Sequence, residues 1–89
     1  MKKLCKVTFI DGTEREWIET RLTWAIFNIE CIFGKAKVRL DASYYIPEKK
    51  AQCLIDISTM VGRYVAEIFI GMMNRELGEE GFSLERIEK

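Results

Sequence analysis

The side chains with the most reactive chemistry in this sequence are three cysteines, Cys5, Cys31 and Cys53. Their number is odd, they lie far apart, and no C-x-x-C pair occurs, so the pattern matches neither a disulfide framework nor a zinc site. Isolated cysteines of this kind usually pack as small apolar side chains with a reduced thiol. We therefore predict no metal site, and we interpret the three thiols as core residues of a cytoplasmic protein.

Histidine is absent from the 89 residues, which excludes Ser-His-Asp and Cys-His catalysis and imidazole metal ligands. Two carboxylate pairs remain, Glu14 with Glu16 and Glu79 with Glu80, but both fall in predicted turns or at a helix start, where no apolar pocket would raise a pKa. No phosphate-binding loop of the G-x-x-x-x-G-K-[ST] type occurs. The sequence thus favours a protein without catalytic residues or cofactors.

The charge balance and the hydropathy narrow the class of protein further. Lys and Arg number 14, as do Asp and Glu, giving a net charge of zero, whereas proteins dedicated to duplex DNA usually carry a basic excess. The most apolar window, residues 22–33, is shorter than the roughly 20 residues of a membrane-spanning helix. We expect a single soluble domain over residues 1–89, with no membrane contact and no strong preference for nucleic acid.

The elements that would position these side chains follow from the apolar pattern. Residues 3–10 alternate as a half-buried strand does, and residues 36–46 and 51–57 alternate more clearly. Apolar residues recur at helical spacing across residues 14–33, and again from position 58 or 59 to about 77. A weaker alternation at 82–87 predicts a final edge strand.

Local signals mark both ends of each predicted helix. Thr13 and Glu16 fit a capping box, in which each side chain bonds the other residue's backbone amide. Ser58 or Thr59 can cap the second helix. Gly34 and Gly78 are typical helix terminators (Gly78 at the end of the second helix).

The order β-α-β-β-α-β predicts an α+β domain of the ferredoxin-like type. In that fold a four-stranded antiparallel sheet carries two helices on one face. An alternative remains, because residues 23–33 are rich in β-branched and aromatic side chains. It is an antiparallel β-meander packed on one long C-terminal helix.

Both predicted helices carry more apolar surface than a two-layer domain needs to bury. Trp17, Trp24 and Cys31 are spaced by seven residues and form a stripe well away from the core-facing side. A second stripe follows the other helix, and Gly62 and Gly71 there would let another backbone approach closely. The candidate interface residues are Trp17, Trp24, Phe27, Cys31, Ile70 and Met73.

These stripes lead to the favoured functional hypothesis, a non-catalytic binding or regulatory module that self-associates as a symmetric homodimer. One alternative is a small-ligand-binding or enzymatic domain with a pocket at a subunit interface. Another is a weak nucleic-acid binder that uses Lys6 and its neighbours on the open face of the sheet. The weaker ligand candidates for these alternatives are Tyr44, Tyr45, Tyr64, Lys37 and Arg39.

Overall fold

The computed structural model describes residues 2–88. In chain order its elements are β1 (Lys3–Phe9), α1 (Arg15–Phe33), α2 (Lys35–Asp41), β2 (Tyr44–Tyr45), β3 (Gln52–Asp56), α3 (Met60–Leu77) and β4 (Phe82–Glu88). The predicted α+β class is confirmed. The alternative meander is wrong, because the segment that would have supplied its second strand forms the helix α1.

The four strands form one antiparallel sheet in the order β2-β3-β1-β4. β3 therefore lies between β1 and β2, and β1 lies between β3 and β4. Each helical crossover joins two strands that run parallel but are separated by one antiparallel neighbour. β2 and β4 are the edge strands.

The core lies between one face of this sheet and the helices. Val7, Phe9, Cys53 and Ile55 point to the helices from the central strands, because they alternate with half-buried residues that face away. The buried residues of α1 recur at intervals of three or four, which places them on one helical face. The helical side of the core consists of Ile18, Leu22, Ala25, Ile29, Val38, Val61, Val65, Ala66, Phe69 and Met73.

One predicted cap is confirmed and the other is wrong. The hydroxyl of Thr59 accepts a hydrogen bond from the Gly62 amide at 2.9 Å, so Thr59 is the N-cap of α3. At α1 the N-cap is Glu14, which makes no side-chain capping bond. Thr13 Oγ1 instead donates to the Ile10 carbonyl at 2.6 Å and closes the turn before the helix.

The clearest departure from the predicted elements is at residues 36–46, which were expected to form a strand. Lys35–Asp41 is the helix α2, and only Tyr44–Tyr45 pairs with β3. Lys37 and Asp41 form an i,i+4 ion pair of 3.1 Å on this helix, and Val38 alone of its residues is buried. Ala36 and Leu40, which alternate with Val38, are exposed, so the apolar alternation of this segment did not correspond to a buried face.

Candidate interaction surface

The outer surface of α1 carries two large aromatic side chains that the fold does not bury. Trp24 is 58% exposed and Phe27 is 61% exposed. They lie on the side of the helix opposite Ile18 and Ile29, which face the sheet and are buried. Cys31 follows Trp24 by seven residues and is also exposed.

α3 continues this apolar surface on the other side of a shallow depression. The depression is lined by Trp24, Phe27, Asn28, Met72, Arg75 and Glu76. Tyr64, Ile68 and Gly71 follow one another at helical spacing along the exposed side of α3. We call the combined surface the outer helical patch, and we define it as Trp24, Phe27, Cys31, Tyr64, Ile68 and Gly71.

Two contacts between α1 and α3 hold this patch in shape. Arg21 donates two hydrogen bonds to the carboxylate of Glu76, at 3.1 and 3.0 Å. At the other end of the helix pair, the rings of Phe33 and Tyr64 pack with centroids 5.6 Å apart. The two helices are therefore joined by side-chain contacts at both ends of the patch.

Gly71 lies in the middle of α3, and nothing within this chain requires a glycine there. A Cβ added at Gly71 would meet no atom within 4 Å. At Gly62 in the same helix, a Cβ would lie 2.0 Å from the Asp56 carbonyl oxygen, so packing within the chain explains that glycine. A mid-helix glycine destabilises a helix by about 1 kcal/mol relative to alanine. Gly71 bears this penalty without any benefit to the folded chain itself.

Two of the predicted interface residues do not belong to the patch. Met73 is fully buried in the core, together with Ala66 of the same stripe, because this part of α3 faces the sheet. Trp17 is half-buried: its ring packs edge-on against Phe9 with centroids 6.0 Å apart, and Arg21 lies 4.1 Å from its centroid. Both side chains stabilise the monomer.

A third predicted interface residue, Ile70, lines a separate groove between α3 and β4. The groove has a volume of about 610 Å³ and forms because no helix covers the inner face of β4. Tyr64 reaches it from the α3 side, and Leu84 and Arg86 of β4 form its floor together with Cys5. Sequence reasoning missed this groove, although the alternation of β4 could have indicated an inner face with Leu84 and Arg86.

The three thiols occupy different environments. Burial raises the pKa of Cys53 to about 12, and it raises the pKa of Cys5 to a degree that the nearby Arg86 guanidinium partly offsets. Cys53 is thus the inert core thiol that the sequence predicted. For Cys31 that interpretation is wrong, because its thiol is exposed on the outer helical patch.

The residues proposed for the open sheet face are not brought together there. Lys37 and Arg39 lie on α2 rather than on a strand. Lys6 is on the open face, but its ammonium group forms an ion pair of 3.0 Å with Glu85. Tyr45 is exposed on that face opposite Leu54, while its neighbour Tyr44 points to the other side.

Residues 2–88 contain neither a cluster of metal-ligating side chains nor a helix suited to cross a membrane. In this part of the chain, no three or more Cys, Asp or Glu side chains are grouped so as to hold a metal ion. None of its helices combines the length and the apolar character that crossing a membrane requires. Comparison of the whole chain with family models, curated proteins and solved structures finds no match.

Proposed function

We propose that this protein is a non-catalytic binding module that self-associates through the outer helical patch. The observation that carries the proposal is the exposed apolar side chains on the neighbouring outer sides of α1 and α3, among which Trp24 and Phe27 are more than half exposed. Exposed apolar patches of this kind mark interaction sites, and tryptophan is among the commonest residues at energetic hot spots. We further propose the cytoplasm as its compartment, which the three free thiols support.

Gly71 supports a partner that approaches as a helix. A position without a side chain lets a second backbone come close, which explains a glycine that the chain's own packing does not. The simplest such partner is a second copy of this chain, which would place the same two helices on the same patch about a two-fold axis. The zero net charge also leaves little general repulsion between copies.

The exposure of Phe27 sets the scale of the energy that burial of the patch would supply. Burying the exposed part of Phe27 alone would contribute about 2–4 kcal/mol per copy.

The test is light scattering after gel filtration at tens of micromolar protein. We expect a mass of at least twice the 10.4 kDa of one chain. Phe27→Asp should raise the dissociation constant of this contact at least about 30-fold. Leu40→Asp is the matched control, since Leu40 is 86% exposed on α2, outside the patch, and this variant should associate like the parent. A monomeric parent protein with solvent-exposed indole emission would refute the proposal.

The groove between α3 and β4 supports a second candidate function, binding of a small amphipathic anion. Apolar side chains form much of its lining, and Arg63 and Arg86 both line it without an ion pair to any of residues 2–88. Two carboxylates, Glu67 and Glu85, line it as well, and that of Glu85 is paired with Lys6. A thermal-shift measurement with octanoate tests this directly. Stabilisation that Arg86→Ala abolishes would support it, and no shift at millimolar octanoate would oppose it.

For the architecture, we propose the ferredoxin-like class. Two features support it. Each helical crossover passes one intervening strand, and each of the two β-α-β units contributes one of the central strands, β1 from the first and β3 from the second. The additional helix α2 lies within the first crossover. This assignment concerns shape and carries no information about function.

A further inference from the structure

The outer edge of β4 has no strand beside it, and the hydrogen bonds of the sheet determine which backbone groups it offers. The Phe9 amide donates to Ala51, and the Ile57 amide donates to the Lys3 carbonyl, so the odd-numbered residues of β1 point their backbone groups towards β3. The even-numbered residues of β1 must then point towards β4, where their partners are Ser83, Glu85 and Ile87. It follows that Phe82, Leu84, Arg86 and Glu88 direct their N–H and C=O groups outward.

The inner face next to this edge is also uncovered. α3 lies above β1 and β3, as the edge-on packing of Phe69 against Phe9 shows, with ring centroids 6.2 Å apart. Leu84 on β4 is consequently 50% exposed, although it points to the helical side of the sheet opposite Val7. The sheet thus extends one strand beyond its helical cover.

We propose that β4 pairs antiparallel with β4 of a second copy, about a two-fold axis at Leu84. This contact would join the two sheets into one continuous sheet by β-strand addition. It places Leu84 against Leu84 of the second copy, Phe82 against Arg86 of the second copy, and Ser83 against Glu85 of the second copy. These are apolar, cation–π and hydrogen-bonding pairs, so this edge is complementary to itself.

Registers shifted towards the C-terminal end of β4 are less favourable, and an axis at Ser83 would engage the outward groups of Phe82 and Leu84 but not those of Arg86. An axis at Glu85 or at Arg86 would place two like charges directly opposite each other, which destabilises a strand pair. The axis at Leu84 uses the outward backbone groups of Phe82, Leu84 and Arg86. Glu88 lies beyond the overlap in this register and distinguishes it from an axis at Glu85, which would pair Glu88 as well.

The helices leave room for this contact. Adjacent strands are about 4.8 Å apart, and α3 lies above β1 and β3 rather than above β4. The two copies of α3 would therefore be separated by at least about 14 Å, more than the 8–10 Å of packed helices. Between them, the two α3–β4 grooves would merge into one cleft at the axis.

The strand residues of this contact, Phe82, Leu84 and Arg86, do not belong to the outer helical patch, although Tyr64 of the patch also lines the adjoining groove. With both contacts formed, each chain uses two different two-fold interfaces, so the assembly is larger than a dimer. The edge contact alone gives a dimer joined through β4. Its fate in a patch variant therefore separates this proposal from the proposed function.

The first experiment measures assembly mass in three variants. Leu84→Pro removes an outward N–H, so a folded edge strand tolerates it, while Leu84→Ala keeps the backbone amide and serves as its matched control. We expect Phe27→Asp protein to remain a dimer, and Phe27→Asp with Leu84→Pro to be a monomer. Phe27→Asp with Leu84→Ala should still associate, although more weakly. Monomeric Phe27→Asp protein at high concentration would overturn the edge contact while supporting the patch.

The second experiment is amide hydrogen exchange on the Phe27→Asp protein, and it does not depend on how Leu84→Pro folds. On raising the concentration through the association range, exchange at Phe82, Leu84 and Arg86 should slow by at least about tenfold. The inward amides of Ser83 and Glu85 are protected by β1 at all concentrations, and Glu88 should stay fast. Fast exchange at the three outward amides at every concentration would refute strand pairing.

Discussion

Replacing Gly71 with alanine separates a glycine that serves folding from one that serves association. The added methyl group meets nothing within 4 Å in the chain itself. In a monomer the change should therefore raise the free energy of unfolding by about 0.5–1 kcal/mol, because alanine is the better helix former. For a domain of this size that corresponds to a rise in Tm of roughly 2–8 °C.

The same methyl group should weaken self-association through the outer helical patch. Overfilling a well-packed contact costs about 1–3 kcal/mol, which raises the dissociation constant by roughly 5- to 150-fold. The Gly71→Ala protein should thus be more stable than the parent at high dilution but dissociate at higher concentration. Chemical denaturation at low concentration, together with light scattering over a dilution series, measures the two effects separately.

Gly62→Ala is the control for this prediction. Its Cβ would lie 2.0 Å from the Asp56 carbonyl oxygen, so it should destabilise the protein at every concentration. The reasoning about Gly71 is refuted if Gly71→Ala stabilises the chain and leaves the dissociation constant unchanged. In that case the glycine would have no role in contact with a partner.

Three further predictions follow from single contacts. Because burial raises the pKa of Cys53 from 9.0 to about 12, its neutral thiol stabilises the fold below pH 9, and this contribution is lost as the pH rises towards 12; denaturation midpoints of parent and Cys53→Ala proteins should converge over that range. Burial acts to raise the pKa of Asp56, but hydrogen bonds from Ser58 outweigh it and the pKa lies below 3.8, so Ser58→Ala should raise that pKa in an NMR titration and reduce the stability that the parent keeps above about pH 4 and loses as the pH falls. Arg21→Ala should lower the free energy of unfolding by about 1–2 kcal/mol and Glu76→Gln by less than about 1 kcal/mol, since only the first also removes the contact with Trp17; equal losses in urea denaturation would contradict a contribution from that ring.

Much of the architecture was predictable because its signals are local. The apolar spacing of Ile18, Leu22 and Ile29 defines the buried face of α1 in any fold that covers it on one side. Gly34 ends α1 with a φ of 90°, a conformation that glycine adopts without strain. The alternation at β1 and β3 likewise requires only a sheet with one covered face.

The interaction surface could be predicted only in part. Trp24 and Phe27 stand apart from the core stripe of α1 by helix geometry alone, and they are exposed as expected. Trp17 lies on the same stripe, yet Phe9 and Arg21 cover it. Whether an off-stripe residue is exposed depends on which element packs beside its helix, and one sequence does not contain that information.

The sequence by itself determined the class of this protein: a small α+β chain with no histidine chemistry and with two helices too apolar for a single buried face. The tertiary structure decided which apolar residues remain outside. It buried Met73 in the core, made a helix of Lys35–Asp41, and left the inner face of β4 uncovered. The physical reason is that periodicity fixes a residue's direction from its own helix or strand, whereas burial depends on what the rest of the chain places in that direction.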